Sequence, residues 1–533
     1  MTKYKKAFIN GKIYTVNSER EWAEAVVVSN NIIVFLGSNS EAQEHIDAFT
    51  QVIDLDGKLM LPGFIDSHAH VVMGGQFLLN VDLTTVKSKA EFCKKINNFT
   101  KTIPVGRWII GGNWNHQNWE VVELPHKEWI DSFTENIPVF VSRMDYHVAL
   151  ANSYVLKLAG IDRNTENPIG GEIIKDENGD PTGVLKDKAM DLVYRIIPEP
   201  SESEFADAID AAMKEARRLG VTSIHDISYD NHFKALQQAE RDGRLTSRLF
   251  TMLLIKNYKN LISNEIQHNF GSDRLKIGAM KAFVDGALGS KTAYMFEPYS
   301  DEPNNFGLPM EELSNGQLEK MIIESDKNQL QCCIHAIGDR AISELLDIVE
   351  KMKDHNPDWN RRFRIEHAQH ISKKDMKRVA ELEVIISAQP YHIYDDGCWA
   401  ENVIGKDRLR DFYAFRSMLN SGIKLCFGSD WSVSTMDPLK GIYVAVTRNT
   451  ANNKYENGLI PEEKISIKEA IDCYTINAAY ASFQENKVGS IEVGKMADMI
   501  LLSENIFEVE PAEIKNIKVE MTVFDGEIIY KEY

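Results

Sequence analysis

From about residue 220 to residue 430 the chain repeats one rhythm, a short apolar run of strand texture followed by an amphipathic helix. The runs are Val221-Thr-Ser-Ile-His-Asp226, Lys276-Ile-Gly-Ala-Met-Lys-Ala-Phe-Val-Asp285, Gln331-Cys-Cys-Ile-His335, Arg364-Ile-Glu-His367, Val384-Ile-Ile-Ser-Ala388 and Lys424-Leu-Cys-Phe-Gly-Ser-Asp430. Helical periodicity marks 205–219, 317–327 and 341–353 between them. Strands that alternate with helices pair in parallel, since each helix carries the chain back across the sheet. Several of the runs end in an imidazole or a charged group. In a (β/α)8 barrel that end is the face on which active sites are built. The expected fold is α/β, a TIM-like (β/α)8 barrel.

One further stretch belongs with these strands: Leu61-Pro-Gly-Phe-Ile-Asp-Ser-His-Ala-His70. Residues i and i+2 of a strand share a face. His68 and His70 can therefore aim both imidazoles at one point, and imidazole is the commonest protein ligand for zinc and its relatives. Lys281, His335, His367 and Asp430, each at the end of a separate run, could complete such a site. His68, His70 and Asp430 would hold one divalent ion, and His335 and His367 a second. Two cations a few ångströms apart need an anionic bridge, which Lys281 would supply if its neutral amine took up CO2 as a carbamate. Each residue alone has an ordinary reading: a hydrogen-bonded core histidine, a helix-capping aspartate, a lysine in an ion pair. Five suitably tipped strand ends in one chain make coincidence a poor explanation.

The two ends of the chain differ from its middle. Ala7-Phe-Ile-Asn-Gly-Lys-Ile-Tyr-Thr-Val16 has an Asn-Gly between alternating runs, a strong hairpin signal, and 25–37 repeats the pattern around Asn30-Asn31. The tail, from Asp498-Met-Ile-Leu-Leu502 through Asp525-Gly526 to Tyr530, has the same texture. Neither end can close a core alone, so 1–60 and 487–533 are expected to form one composite β-sandwich around a barrel of 61–486. At about 75–195 the barrel rhythm breaks into an insertion after the first strand. It is dense in Trp, Asn and Gly at 106–119, and it would sit as a lid at the carboxyl face.

At 533 residues the chain is too long for one ordinary core. Its net charge of −19 argues against nucleic acid, which needs clustered Lys and Arg. No run of 18 apolar residues offers a membrane span, and the first residues read as an edge strand, not a signal peptide. The six cysteines form no Cys-x-x-Cys, and adjacent Cys332 and Cys333 read as structural thiols, so a reducing cytoplasm is expected. Subunit number is not written in such a sequence; a homodimer would be unsurprising.

The segment 61–70 resembles the opening motif of the amidohydrolase superfamily. Lys281-Ala-Phe-Val-Asp-Gly-Ala-Leu-Gly-Ser-Lys-Thr-Ala293, His335-Ala-Ile-Gly-Asp-Arg340, Arg364-Ile-Glu-His-Ala-Gln369 and Phe427-Gly-Ser-Asp-Trp431 resemble its amidohydrolase-3 branch. That branch includes the YtcJ-like proteins and the N-substituted formamide deformylases. The Trp-rich insertion and Gly489-Ser-Ile-Glu-Val-Gly-Lys-Met-Ala-Asp498 match its pattern too, so the resemblance spans nearly the whole chain. It implies a metal-dependent barrel with a β-sandwich from both termini and one or two divalent ions, zinc first among them. It also implies His68, His70 and Asp430 at the more buried ion, His335 and His367 at the other, and carboxylated Lys281 between. His225 and Asp226 would then lie behind the ligands or face the substrate, or else simply be a core residue and a cap.

The chemistry expected is hydrolysis of a non-peptide C–N bond in a small molecule, an amide or an N-substituted formamide, with Asp430 as general base. Trp114, Trp119, Tyr146, Tyr391, Trp399 and Trp431 are aromatic candidates for the pocket, though core packing explains any one of them. Trp114, Asp285 and His392 are the substrate-contact expectations. Asp395-Asp396 would suit a cationic group or a solvated loop. An esterase, lactonase or phosphoesterase could use the same cage, and a non-catalytic regulatory protein could retain the fold.

Overall fold

The computed structural model describes residues 5–104, 106–143 and 147–532. Its largest sheet contains eight strands that pair in parallel in chain order: β1 (Phe64–Ala69), β2 (Val221–Ser228), β3 (Arg248–Leu254), β4 (Leu275–Phe283), β5 (Gln331–Ala336), β6 (Arg364–His367), β7 (Ile385–Ala388) and β8 (Leu425–Phe427). First and last strands also meet. The backbone N–H of Asp430 donates to the His68 carbonyl at 2.7 Å, and that of His70 to the Trp431 carbonyl at 2.6 Å. The sheet thus nearly closes into the expected barrel. At this seam a Cβ on Gly428 would lie 2.4 Å from the His68 nitrogen, a distance no side chain tolerates.

The helices Glu202–Arg218, Gln317–Lys327 and Asp339–His355 stand where the periodicity puts them. The first turns Ala208, Ile209, Ala212, Met213 and Ala216 inward, a stripe at three- and four-residue spacing. The strand that sequence reading does not pick out is β3. Its run, Arg-Leu-Phe-Thr-Met-Leu-Leu, is half helix-forming Leu and Met and carries no ligand-type group at its end.

Strands from both ends of the chain form two further sheets. One has the order Ile32–Gly37, Ala25–Ser29, Lys5–Ile9, Thr50–Asp54. The other runs Glu527–Lys531, Val519–Phe524, Met499–Leu502, Leu59–Pro62, Lys12–Tyr14, Trp22–Ala23. Phe8, Val26 and Ile33 of the first share a core with Met60, Met499, Leu501, Met521 and Val523 of the second. Asn30-Asn31 is a hairpin turn, with Ser29 opposite Ile32. Asn10-Gly11 is not: Lys5–Ile9 and Lys12–Tyr14 belong to different sheets, and the left-handed Asn10 (φ 56°) turns the corner between them. At the amino end of β3, Arg248 is buried and donates to both oxygens of Asp498 (2.7 and 2.9 Å) and to Asp525, tying the barrel to the C-terminal strands.

The chain divides into two compact units, 1–74 with 212–533, and 75–211. The second has its own six-stranded sheet, ordered Gly171–Lys175, Pro181–Asp187, Val148–Ala151, Phe140–Arg143, Gly111–Trp114, Val81–Asp82. Its core includes Phe92, Ile96, Trp114, Trp119, Ile130 and Val141. No helix among the described residues is long and apolar enough to cross a membrane.

Candidate metal centre

The six expected ligands all come from carboxyl ends of barrel strands. His68 ends β1 with His70 just beyond it, Lys281 is near the end of β4, His335 is in β5, His367 closes β6, and Asp430 follows β8. Ligand atoms of His68, His367 and Asp430 lie within 4.8 Å of one another. Oδ1 of Asp430 is 3.1 Å from His70 Nε2 and 3.4 Å from His68 Nε2. The His335 ring is centred 4.5 Å from that of His367, and His367 4.7 Å from His68. The closest trio therefore draws His367 in beside His68 and Asp430, across the two expected subsets.

The backbone favours this focus at some expense. His367 (φ 73°) and Asp430 (φ 58°) both take left-handed conformations, which cost a non-glycine residue on the order of 1 kcal/mol or more. Hydrogen bonds behind the rings choose which nitrogen faces inward. His367 Nδ1 is 2.7 Å from Gln389 Oε1, and an amide oxygen only accepts, so Nε2 keeps its lone pair. His335 Nε2 donates to the Gly286 carbonyl at 3.0 Å, leaving Nδ1 as its ligand atom. Four imidazoles, one carboxylate and a buried amine form a nitrogen-and-oxygen donor set suited to zinc or a similar ion. Two of its polar atoms, His70 Nδ1 and Lys281 Nζ, are buried without a hydrogen bond, as expected of a cage built to hold something else. The residues present fit a metal.

Electrostatics agree with that fit. Burial lowers the Lys281 pKa to about 8, although Glu366 and Asp430 pull it upward, so a neutral amine is within reach at ordinary pH. Burial also lowers His335, to about 3, with Lys281 adding to the effect, which leaves this imidazole neutral. For Asp430, burial raises the pKa, but hydrogen bonds from His68 and His70 outweigh it and hold the carboxyl well below the usual range.

Not every substrate-contact expectation reaches the site. Trp114 is fully buried in the core of the 75–211 unit, its indole N–H given to the Val141 carbonyl at 3.0 Å, so it has no face left for a ligand. Trp119 shares that core. Asp285 is fully buried, its carboxylate accepting from the backbone N–H groups of Tyr294, Ile337 and Gly338 at 2.8–3.0 Å, so that it pins the loops after β4 and β5; its Oδ1 also lies 3.6 Å from Nε2 of His335 in the cage. His392 does reach the cage: Nε2 is 3.9 Å from Oδ2 of Asp430, and Nδ1 is 3.2 Å from the Tyr413 hydroxyl. Tyr391 stacks on Tyr394, Trp399 is partly exposed, and Trp431 is buried against Gly74. Tyr146 lies outside the described residues. Asp396 accepts from Gln369 at 2.9 Å, which binds half of the acidic pair into the fold.

Of the cage's neighbours, His225 and Asp226 are the pair expected behind the ligands or facing the substrate, or else as a core residue and a cap, while Tyr229, Asp66, Arg364 and Glu366 are given no role from sequence. The Tyr229 ring stacks 5.8 Å from His70. Asp66 accepts from the backbone N–H groups of His68 and Ser429 and from the Ser429 hydroxyl, and Asp226 accepts from Val71 N–H. Arg364, Glu366 and His225 are buried inside the barrel around His68. The available signal was Arg364 and Glu366 themselves: two opposite charges at i and i+2 in a barrel strand otherwise closed to solvent.

Comparison with known proteins agrees with this geometry. A family model described as "Amidohydrolase family" matches residues 51–530. The chain is 36% identical to "Protein LONG AFTER FAR-RED 3" of Arabidopsis thaliana, over 98% of this chain and 91% of that one. It is 32% identical to "Putative amidohydrolase YtcJ" of Bacillus subtilis (strain 168), and 28% identical to "N-substituted formamide deformylase" of Arthrobacter pascens, each over 98% of both chains. Among solved structures, an uncharacterized metal-dependent hydrolase from Pyrococcus horikoshii OT3 superposes with a TM-score of 0.81 at 28% identity, covering 95% of this chain and 99% of that one.

Proposed function

The chain belongs to the amidohydrolase family, and from that premise we propose that it hydrolyses a non-peptide carbon–nitrogen bond in a small molecule, an amide or N-substituted formamide, with Asp430 as general base. The observation that carries the reading is the division of labour within one carboxylate. Oδ1 of Asp430 faces His68 and His70, while Oδ2 faces His392 across 3.9 Å. One oxygen is thus committed to the cage and the other is open to a reacting group. The bond class draws support from likeness to the formamide deformylase over almost the whole chain.

His68, His70 and Asp430 would hold one ion and His335 and His367 a second, zinc being the ion the donors suit, and Lys281, if carboxylated, would add an anionic ligand to the set. When bound, such ions acidify water from a pKa of 15.7 to roughly 7 and polarise a carbonyl. Asp430 Oδ2 takes the proton of the attacking water and returns it to the leaving nitrogen, which must depart as a neutral amine. His392, oriented by Tyr413, offers a hydrogen bond to the substrate oxygen or leaving group through Nε2. Every group in this scheme comes from one chain. The six unpaired cysteines suit a reducing cytoplasm.

The test pairs elemental analysis of purified protein with a mass check for one added CO2 on the peptide carrying Lys281, then matched amide, formamide and ester substrates. Asp430→Asn should lower kcat by 10³-fold or more, on the order of 4 kcal/mol in transition-state stabilisation, and retain most of the metal. A variant with near-native turnover removes Asp430 from the base role. Faster cleavage of the ester than of the matched amide would reassign the bond.

A further inference from the structure

Inside the barrel, on the side of His68 away from Asp430, three polar side chains are shut off from solvent. Glu366 Oε2 is 2.5 Å from His68 Nδ1. Arg364, two residues earlier on β6, places NH2 2.9 Å from Glu366 Oε1 and 3.1 Å from Oε2, and the same nitrogen donates to the Ser67 carbonyl at 2.7 Å. Its NH1 is 2.8 Å from His225 Nδ1 on β2. Arg364 and Glu366 are fully buried, and His225 is 1% exposed.

The proton positions in this chain follow from chemistry alone. A guanidinium has no acceptor, so Arg364 donates to His225 Nδ1, and His225 must be a neutral imidazole carrying its proton on Nε2. A carboxylate beside a guanidinium is ionised and only accepts, so His68 donates from Nδ1. Nε2 is then the His68 atom that faces Asp430. Each member fixes the next. We propose that Arg364, Glu366 and His225 are positioning residues that hold His68 in its metal-binding tautomer, and that the Glu366 charge strengthens His68 as a ligand.

The fold could have filled this space with apolar side chains. A buried ion pair gives little net stability over well-packed hydrophobic residues. Its placement against one ring nitrogen of a candidate ligand gives it a use: a carboxylate behind a metal-bound imidazole fixes its orientation and raises its basicity. Arg364 offsets the carboxylate that would otherwise stand alone in the barrel. It is fixed in turn by Ser67, the residue beside His68, and by His225 on the far wall.

This role rests on the metal reading above, and the experiment separates the two. Zinc affinity is measured by chelator competition on the purified full chain, wild type against Glu366→Gln, with thermal melting as the folding check. Gln keeps the shape but loses the charge, and zinc binding should weaken about 10- to 100-fold. Because Glu366→Gln leaves Arg364 buried without its counter-charge, a second variant, Arg364→Met with Glu366→Gln, removes both charges; it should fold and still bind zinc weakly. Wild-type affinity in either folded variant overturns the role. Proton NMR of the wild type supplies a measurement that needs no variant: the short Nδ1–H bond to Glu366 should give a far-downfield, slowly exchanging imidazole proton, and its absence overturns the role as well. If wild-type protein binds no zinc, the metal reading itself fails, whatever the variants do.

Discussion

Single residues here separate groups that hold the cage from groups that only resemble parts of it. Gln389 holds the cage: its side-chain oxygen accepts from His367 Nδ1 at 2.7 Å. Gln389→Leu leaves that N–H buried without a partner, so zinc affinity should fall about 10-fold or more with little change in fold, as chelator competition would read. Trp114 is the contrasting case. It combines the residue type and the sequence neighbourhood of a pocket aromatic, yet it is wholly enclosed among Phe92, Trp119 and Val141. Trp114→Ala should cost about 3–5 kcal/mol of stability, measured by denaturant titration. Burial decides between the two roles, and burial is not written in a residue's identity. Asp285 repeats the lesson, since three backbone N–H groups from distant loops claim its carboxylate.

At the scale of elements, β3 shows how a strand without chemistry still carries the architecture. Arg248 at its start meets Asp498 and Asp525 in a buried ion cluster. Asp498→Ala strips one carboxylate from a buried guanidinium and should destabilise the protein by about 3–5 kcal/mol, seen as a lowered unfolding midpoint. Replacing Arg248 and Asp498 together with apolar residues should recover part of that loss. The strands most legible in the sequence were those whose ends carry ligands, because His335, His367 and Asp430 break an apolar run in a way core packing does not require. By contrast, β3 was illegible, since Leu and Met serve a strand or a helix equally. Asn10-Gly11 misled for a related reason. The dipeptide specifies a tight reversal of the backbone, but only the partner strands, Thr50–Asp54 for one arm and Leu59–Pro62 for the other among them, decide which sheet each arm joins. Arg364 and Glu366 could have been flagged as buried charges, yet their target, His68 Nδ1, lies on another strand and only the closed barrel brings it near.

For the whole molecule, acid is the condition to which the fold is most exposed. His370 is buried against Phe412, and burial lowers its pKa from 6.5 to about 3; His232, also buried, is lowered to about 4 for the same reason. Below pH 6.5 the unfolded chain takes up protons at these positions and the folded chain does not. Stability is therefore whole above pH 6.5 and declines as pH falls toward those lowered values, by up to about 1.4 kcal/mol per pH unit for each such histidine. Between pH 6.5 and 5 the loss at His370 should be on the order of 2 kcal/mol. His370→Gln should flatten the dependence of the unfolding midpoint on pH, whatever it does to stability at pH 7. Removing metal with a chelator should lower the melting temperature as well, since an ion held only by the native state stabilises it by about 4 kcal/mol at 1,000 times Kd.

The sheet shared by both ends of the chain also bears on how the protein is made. Leu59–Pro62 takes Met499–Leu502 as an antiparallel neighbour, and roughly 440 residues separate them. A ribosome adding roughly 5–20 residues per second needs on the order of 20 to 90 s to supply that neighbour. For that interval the apolar Leu-Met-Leu-Pro segment of the nascent chain lacks the strand that will cover one edge of it. Emergence of Met499–Leu502, not of the barrel strands, should therefore set the moment at which this half of the fold is safe from aggregation. Chains arrested before Met499 should be retained by holdase chaperones, and chains in which Met499–Leu502 has emerged should be let go.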